Sequence, residues 1–215
     1  MPNPGDGPFG LVRQWLDDAA AAGGRNPNAM SLATVGADGR PAVRMVLLKG
    51  LSEAHGYVVF YTNYRSRKGR ELDRHPWAAA ALYWAPLGRQ IRLEGRVVRS
   101  PDSESDAYFA TRPFRSQLNA WISEQSEPLA DGDDLMRRAD AKAAELGGTA
   151  QDDAVPPRAV PRPPFWGGYR LWCDRVELWS EGAGRFHERI EYLRELDVAA
   201  ARIDAGPWRS RRLQP

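Results

Sequence analysis

Arg185, His187 and Arg189 recur at every second position of Arg185-Phe186-His187-Glu188-Arg189. On an extended strand successive side chains alternate between faces, so these three cation-capable groups share one face, and Phe186 and Ile190 take the other. About 7 Å apart, they repel one another unless something anionic or electron-rich lies across them. The face is therefore either a solvated polar surface or a ligand surface. Arg44 and Lys49 pose a related choice. Five apart in Arg44-Met45-Val46-Leu47-Leu48-Lys49, they point to opposite faces of an unbulged strand. They suit two different anionic groups, or else they mark a strand edge and a strand end. In Ser66-Arg67-Lys68 a hydroxyl and two cations stand at a helix start with Ser66 as N-cap. Free backbone N–H groups there favour a phosphate, with a solvated helix start as the simpler alternative, and the spacing is not that of a Walker loop. Tyr108 and Arg112, four apart, share one face of a helix end. Trp179 falls beside Glu177 on the polar face of its strand, where a large indole often has a planar partner or an interface.

The composition narrows the function classes. A chain of 215 residues, 42% hydrophobic and 27% charged, is long enough for one sizeable core. A single domain is expected over 9–215, after a Gly/Pro-rich arm, residues 1–8, expected to be disordered. The net charge is only +2 and basic residues are interleaved with acids, which argues against a nucleic-acid surface. Cys173 is the only cysteine, so no intramolecular disulfide can form, which suits a reducing cytoplasm. His55, His75 and His187 lie too far apart for a metal-ligand spacing. The longest apolar run, Trp77 to Ala85, is too short for a bilayer, and no signal peptide is recognised. A soluble, cytoplasmic protein without a membrane or nucleic-acid partner is expected.

Short strands outnumber helices. Helical stripes are predicted over Phe9 to Ala19, from Ser66 onward, over Asp102 to Thr111, Ser116 to Ser123 and Asp133 to Leu146. Strands are predicted over Met30 to Val35, Pro41 to Lys49, Tyr57 to Thr62, Trp77 to Trp84, Gln90 to Val98, Phe165 to Arg170, Arg175 to Trp179, Arg185 to Leu193 and Trp208 to Leu213. In Gln90 to Val98, Ile91, Leu93 and Val97 alternate inward against Arg92, Glu94 and Arg96. Ala199 to Gly206 reads as an inserted surface loop. Hairpin-linked short strands point to a mainly β protein, an antiparallel barrel with peripheral α-helices.

Taken together, the motifs resemble the pyridoxamine (pyridoxine) 5′-phosphate oxidases. The matching pieces run in family order: Asn28-Ala29-Met30, Arg44 to Lys49, Phe60-Tyr61-Thr62-Asn63 with Ser66-Arg67-Lys68, Arg89-Gln90, and Tyr108-Phe109-x-x-Arg112-Pro113-x-x-Ser116-Gln117. They continue through Ala120-Trp121-x-x-x-Gln125-Ser126, Phe165-Trp166-Gly167-Gly168, Glu177-x-Trp179, Arg185-x-His187-x-Arg189 and Arg212-Leu213-x-Pro215. The resemblance implies a Greek-key split β-barrel, the FMN-binding split barrel, working as a homodimer with FMN at the subunit interface. By motif it implies that Arg44, Arg67 and Lys68 hold the FMN phosphate with Gln125 and Ser126. Met45, Val46, Leu47, Leu48 and Lys49 would line the cofactor along with Tyr61 and Thr62, and Gln90, Trp179 and Arg189 would lie against the isoalloxazine. Lys49, Tyr108, Arg112 and Ser116 would bind a substrate phosphate, with Arg185 and His187 over the pyridine ring as the catalytic pair.

The chemistry so implied is hydride removal from the C4′ carbon of pyridoxamine or pyridoxine 5′-phosphate to flavin N5, with O2 then reduced to hydrogen peroxide. The flavin does the redox work and the protein stacks, orients and places charge. The sequence departs from the family at Asn119, where glycine is usual, and at Phe186, where leucine is usual, and Arg115 adds a charge beside Ser116. Two alternatives stay open: a related flavin oxidase with another substrate, such as those of phenazine biosynthesis, and a split barrel that carries flavin or pyridoxal phosphate without turnover.

Overall fold

The computed structural model describes residues 7–129, 131–151, 159–199 and 202–215, the side chain of Arg202 excepted. Of the arm expected over 1–8, residues 1–6 lie outside the described residues, whereas Pro8 is buried just ahead of the first helix. The chain forms two compact units. One comprises Met1–Phe60, Arg74–Val98 and Arg170–Pro215, the other Tyr61–Asp73 and Arg99–Tyr169.

The first unit opens with α1 (Phe9–Ala21), whose stripe buries Phe9, Val12 and Ala19. The sheet follows from alternation in β1 (Ala29–Val35), β2 (Pro41–Leu47), β3 (Gly50–Ser52), β4 (Tyr57–Asn63), β5 (Trp77–Trp84), β6 (Arg89–Arg99), β7 (Trp166–Ser180), β8 (Glu188–Leu193) and, after a short hairpin, β11 (Arg209–Arg212). Its order is β11-β8-β7-β6-β5-β1-β2, with β4 pairing β7 and β3. The β1–β2, β1–β5, β5–β6, β7–β8 and β8–β11 pairs are all antiparallel. Met30 and Leu32 of β1, Leu82 of β5, Ile91 and Leu93 of β6, and Val176 and Leu178 of β7 fill the core. Burying each such side chain contributes about 1.5–3 kcal/mol.

The second unit is helical. α2 (Arg67–Arg74) starts at Ser66, whose Oγ accepts the Gly69 N–H at 3.3 Å, as the N-cap expectation required. A Cβ at Gly69 would collide with the Tyr64 carbonyl, so the chain turns tightly onto this helix. α3 (Asp102–Ala110) and α4 (Phe114–Ile122) are separated by Pro113, which holds the break open. α5 (Gly132–Glu145) is capped by Asp131, which accepts the Asp133 N–H at 2.9 Å. Phe109, Phe114, Leu118, Ala139, Ala143 and Trp166 form the core of this unit.

Four local expectations change. The strand expected over Arg185 to Leu193 begins only at Glu188. Ala183–Arg185 is a 3-10 turn with left-handed backbone at Gly184 (φ 62°) and Arg185 (φ 66°), so alternation cannot put Arg185, His187 and Arg189 on one strand face. β2 stops at Leu47, so Lys49 lies beyond it, its N–H bonded to the Val59 carbonyl at 2.8 Å on the way into β3. The opposite-face argument for Arg44 and Lys49 therefore loses its strand. The segments expected at Phe165 to Arg170 and Arg175 to Trp179 are one strand, β7. The insertion expected as a loop carries a two-stranded hairpin, β9 (Leu196–Ala199) with β10 (Arg202–Ala205).

Candidate functional site

In the second unit, a polar cluster forms where β4 runs into α2. Lys68 is buried, and its Nζ donates to Thr62 Oγ1 at 3.1 Å, Ser66 Oγ at 3.3 Å and Gln125 Oε1 at 3.0 Å. Thr62 Oγ1 also donates to Gln125 Oε1 at 2.9 Å. Gln125 lies in a turn closed by the Glu127 N–H on the Glu124 carbonyl, with Ser126 in the left-handed region at φ 79°. Arg67, the first residue of α2, is mostly exposed and donates Nε to Glu71 Oε1 at 2.8 Å. Of the expected phosphate-side residues, Lys68 and Gln125, with Ser126 next in the chain, thus lie at one helix start, joined there by Thr62, which was expected to line the flavin. Arg67 stands beside them with its charge shared with Glu71.

A second group in the same unit is aromatic. The Tyr61 and Tyr108 rings stack at 3.9 Å with a 16° tilt, and Trp166 lies nearly parallel to both, at 5.6 Å and 6.2 Å. The Arg112 guanidinium sits 4.4 Å over the Trp166 ring and 5.6 Å over Phe109. Arg112 Nη1 is buried and has no hydrogen-bond partner among the described residues. Burial pushes the Arg112 pKa down, with the nearby Tyr108 acting in the opposite sense, and burial likewise pushes the Tyr108 phenol up. A guanidinium held by aromatic faces instead of a carboxylate keeps its charge for an incoming anion. Ser116 is half-buried in the first turn of α4, four residues past Arg112. Sequence reading gave Trp166 no role, although an aromatic residue next to Gly-Gly was the available signal.

The remaining expected residues belong to the first unit. Arg44 is pinned against β1, donating Nη1 to Thr34 Oγ1 at 2.5 Å and the Leu32 carbonyl at 3.1 Å. Met45 and Leu47 are exposed on the other face of β2, Val46 is half-buried and Leu48 is buried. Lys49 is exposed. Trp179 and Arg189 are cross-strand partners of β7 and β8, and the His187 ring lies 4.7 Å from the Trp179 ring. The Glu181 N–H bonds the Gly88 carbonyl at 2.8 Å, which brings Gln90 and Trp179 to the same end of β6 and β7. His187 Nδ1 lies 3.3 Å from the Gly182 N–H and accepts from it, so in the neutral ring the proton is on Nε2. Trp179, His187 and Arg189 therefore come together, with Gln90 at the same end of the sheet, whereas Arg185 lies exposed in the turn beside Phe186, which is 81% exposed.

Each group, taken by itself, suits one part of a phosphorylated flavin. A buried ammonium among hydroxyl and amide groups at a helix start suits a phosphate monoester, and an indole flanked by imidazole and guanidinium suits a planar ring. Among the described residues no group of three or more His, Cys, Asp or Glu could hold a metal ion. No helix among them is long and apolar enough to cross a membrane.

Residues 16–146 match the family model described as pyridoxamine 5′-phosphate oxidase, and residues 166–215 match the pyridoxine 5′-phosphate oxidase C-terminal dimerisation region. A pyridoxine/pyridoxamine 5′-phosphate oxidase of Rubrobacter xylanophilus is 48% identical over 97% of this chain and 87% of its own length. That of Methylibium petroleiphilum is 47% identical over 97% and 88%. Among solved structures, PhzG from Burkholderia lata, in complex with tetrahydrophenazine-1-carboxylic acid, superposes with a TM-score of 0.83 at 34% identity, covering 99% of this chain and 95% of that one. A pyridoxamine 5′-phosphate oxidase-related, FMN-binding protein of Nostoc punctiforme shares the fold, with a TM-score of 0.70 at 19% identity over the full length of both chains. The chain belongs to the pyridoxamine 5′-phosphate oxidase family and has its FMN-binding split-barrel fold.

Proposed function

We propose that this chain is an FMN-dependent oxidase that converts pyridoxamine 5′-phosphate, and pyridoxine 5′-phosphate, to pyridoxal 5′-phosphate. It acts as a cytoplasmic homodimer, with 9–215 as one functional domain and the dimerisation region at its C-terminal end. The observation that carries the substrate reading is Arg112. Its buried Nη1 lacks a partner, and its charge rests on Trp166 instead of an acid. An unsatisfied buried cation is costly unless a ligand completes it, and a substrate phosphate is the anion that does so.

FMN, when bound, would supply the two-electron oxidation of the substrate C4′ carbon with O2 reduced to H2O2, and with the amine substrate water would then hydrolyse the imine to the aldehyde and release ammonia. Lys68, Arg67 and Arg44 neutralise the cofactor phosphate, and Thr62, Gln125 and Ser126 add hydrogen bonds. Tyr61 and residues 45–49 line the cofactor. Trp179, Gln90 and Arg189 orient the ring. Tyr108, Arg112, Ser116 and Lys49 anchor the substrate phosphate. His187, with its proton on Nε2, and Arg185 bear on the pyridine ring from the turn before β8.

The likeness to PhzG supports a second reading, a flavin oxidase of a phenazine-type acid. Turnover of pyridoxamine 5′-phosphate with a peroxide readout tests the first reading against both alternatives. Peroxide formed from pyridoxamine 5′-phosphate and not from unphosphorylated pyridoxamine supports it. Equal turnover of the two sinks the phosphate anchor and leaves the second reading, and no peroxide at all leaves a flavin carrier.

A further inference from the structure

β7 and β8 place two carboxylates directly opposite each other, since Glu177 and Glu191 are cross-strand partners and both side chains are 5% exposed. Like charges facing one another across a ladder are destabilising, and buried charges are costly unless well paired. Arginines compensate on both sides. Glu177 Oε1 accepts from Arg189 Nε at 2.7 Å and Oε2 from Arg92 Nη1 at 3.0 Å, while Glu191 bonds Arg211 at 2.6 Å and lies 3.6 Å from Arg175. A local rule broken at this cost points to a task for the residue that breaks it.

The two partners of Glu177 differ. Arg92 is 45% exposed and has a second acid, Glu94, at 2.7 Å. Arg189 is 26% exposed and its ion-pair partner is Glu177, with the charge of Glu191 acting on it as well and Nη1 donating to the Gln214 carbonyl at 3.0 Å. Those two bonds fix the plane of the Arg189 guanidinium and leave Nη2 as the nitrogen that no protein group engages among the described residues. Alternation sets Glu177, Trp179, Arg189 and Glu191 on the same face of the β7–β8 pair. The fixed guanidinium is thus presented beside the indole.

We propose that Glu177 is a positioning residue that locks Arg189 in place to receive the flavin, so that FMN affinity depends on Glu177 although its carboxylate is already engaged by two arginines. The inference rests on the reading of Trp179 and Arg189 as flavin-side residues. Both carboxylate oxygens are occupied, so the effect travels through Arg189.

The test is the FMN dissociation constant of the full-length holoprotein, read from recovery of flavin fluorescence on dilution. Glu177→Gln should weaken FMN about ten-fold, the loss of one charge-assisted bond. In an Arg189→Gln background the same change should add nothing. Arg92→Gln removes the other ion pair from the same carboxylate and should leave FMN affinity within about two-fold. A merely structural role would couple Glu177 to both arginines alike. The proposal is overturned if Glu177→Gln binds FMN as the parent does, or if its loss persists undiminished without Arg189. If Arg189→Gln alone leaves FMN affinity unchanged, the flavin-side reading of Arg189 is what fails. Should Glu177→Gln not fold, Glu177→Asp keeps the charge and shortens the reach, and FMN affinity equal to the parent's would overturn the proposal.

Discussion

Replacing Arg112 with methionine separates ligand binding from stability. In the ligand-free protein the variant loses the guanidinium's contact with Trp166 at 4.4 Å and with Phe109 at 5.6 Å. A partly desolvated cation–π contact is worth about 0.5–2 kcal/mol. Against this, a buried Nη1 without a partner disappears, which relieves about 1–3 kcal/mol. Methionine keeps the volume and the contact with the ring edge. The two contributions nearly cancel, so Tm should stay within about 4 °C of the parent, since 1 kcal/mol shifts a domain of this size by about 2–4 °C. Substrate binding has no such compensation. Losing a charged hydrogen bond of about 1.5–3 kcal/mol should raise the KM for pyridoxamine 5′-phosphate roughly 10- to 150-fold, with FMN content unchanged. Peroxide production across a substrate titration, with calorimetry of the same preparations, measures both. A fall in Tm of more than about 8 °C with an unchanged KM would refute the reasoning, because Arg112 would then be a structural residue.

Three further outcomes follow from the geometry. Lys68→Met should weaken FMN binding more than Arg67→Ala, measured by equilibrium dialysis, because Lys68 is buried among three oxygen partners and Arg67 is exposed and shared with Glu71. Burial pushes the Glu177 carboxyl up, but the bonds from Arg189 and Arg92 outweigh it and hold the pKa below the usual glutamate value. That contribution is present above the unfolded-state pKa and lost as pH falls through the lower folded one, so Glu177→Gln should flatten the acid side of the stability profile. Asp174 is the opposite case. Burial, with a smaller contribution from Glu94, raises its pKa over the opposing effects of a backbone hydrogen bond, Arg175 and Arg194, so its charged form is disfavoured by folding. Asp174→Asn should therefore raise Tm at neutral pH and leave it unchanged below the usual aspartate range, as a pH series of melting curves would show.

Where pattern and local chemistry coincide, the sequence already carries the structure. The strand Trp77 to Trp84 keeps its ends, Ile91, Leu93 and Val97 face inward, and Ser66 caps its helix. The site is less legible, because its geometry depends on partners far along the chain. Period-2 reasoning placed Arg185 and His187 on a strand, yet Gly182 and Gly184 were the visible signal that the backbone turns there. Alternation put Glu177 on a polar face correctly, but only the register with β8 shows that it meets Arg189 and Glu191 and is buried. The Tyr61–Tyr108 stack and the seat of Arg112 on Trp166 join segments 47 and 54 positions apart, spacings to which no periodicity points.

Strand β2 has a consequence for handling the protein. It stands at one end of the sheet order, and Val43, Met45 and Leu47 are respectively 70%, 64% and 37% exposed along one side of it. An edge with open backbone groups and alternating apolar side chains is a template for adding another strand, correct or not. Met45 and Leu47 on this edge are also proposed to line the cofactor, so only Val43 can be changed for solubility without bearing on turnover. Lysine at Val43, which lies outside the proposed cofactor-lining residues, is the place to begin when preparations cloud on concentration, with oligomeric state checked alongside solubility.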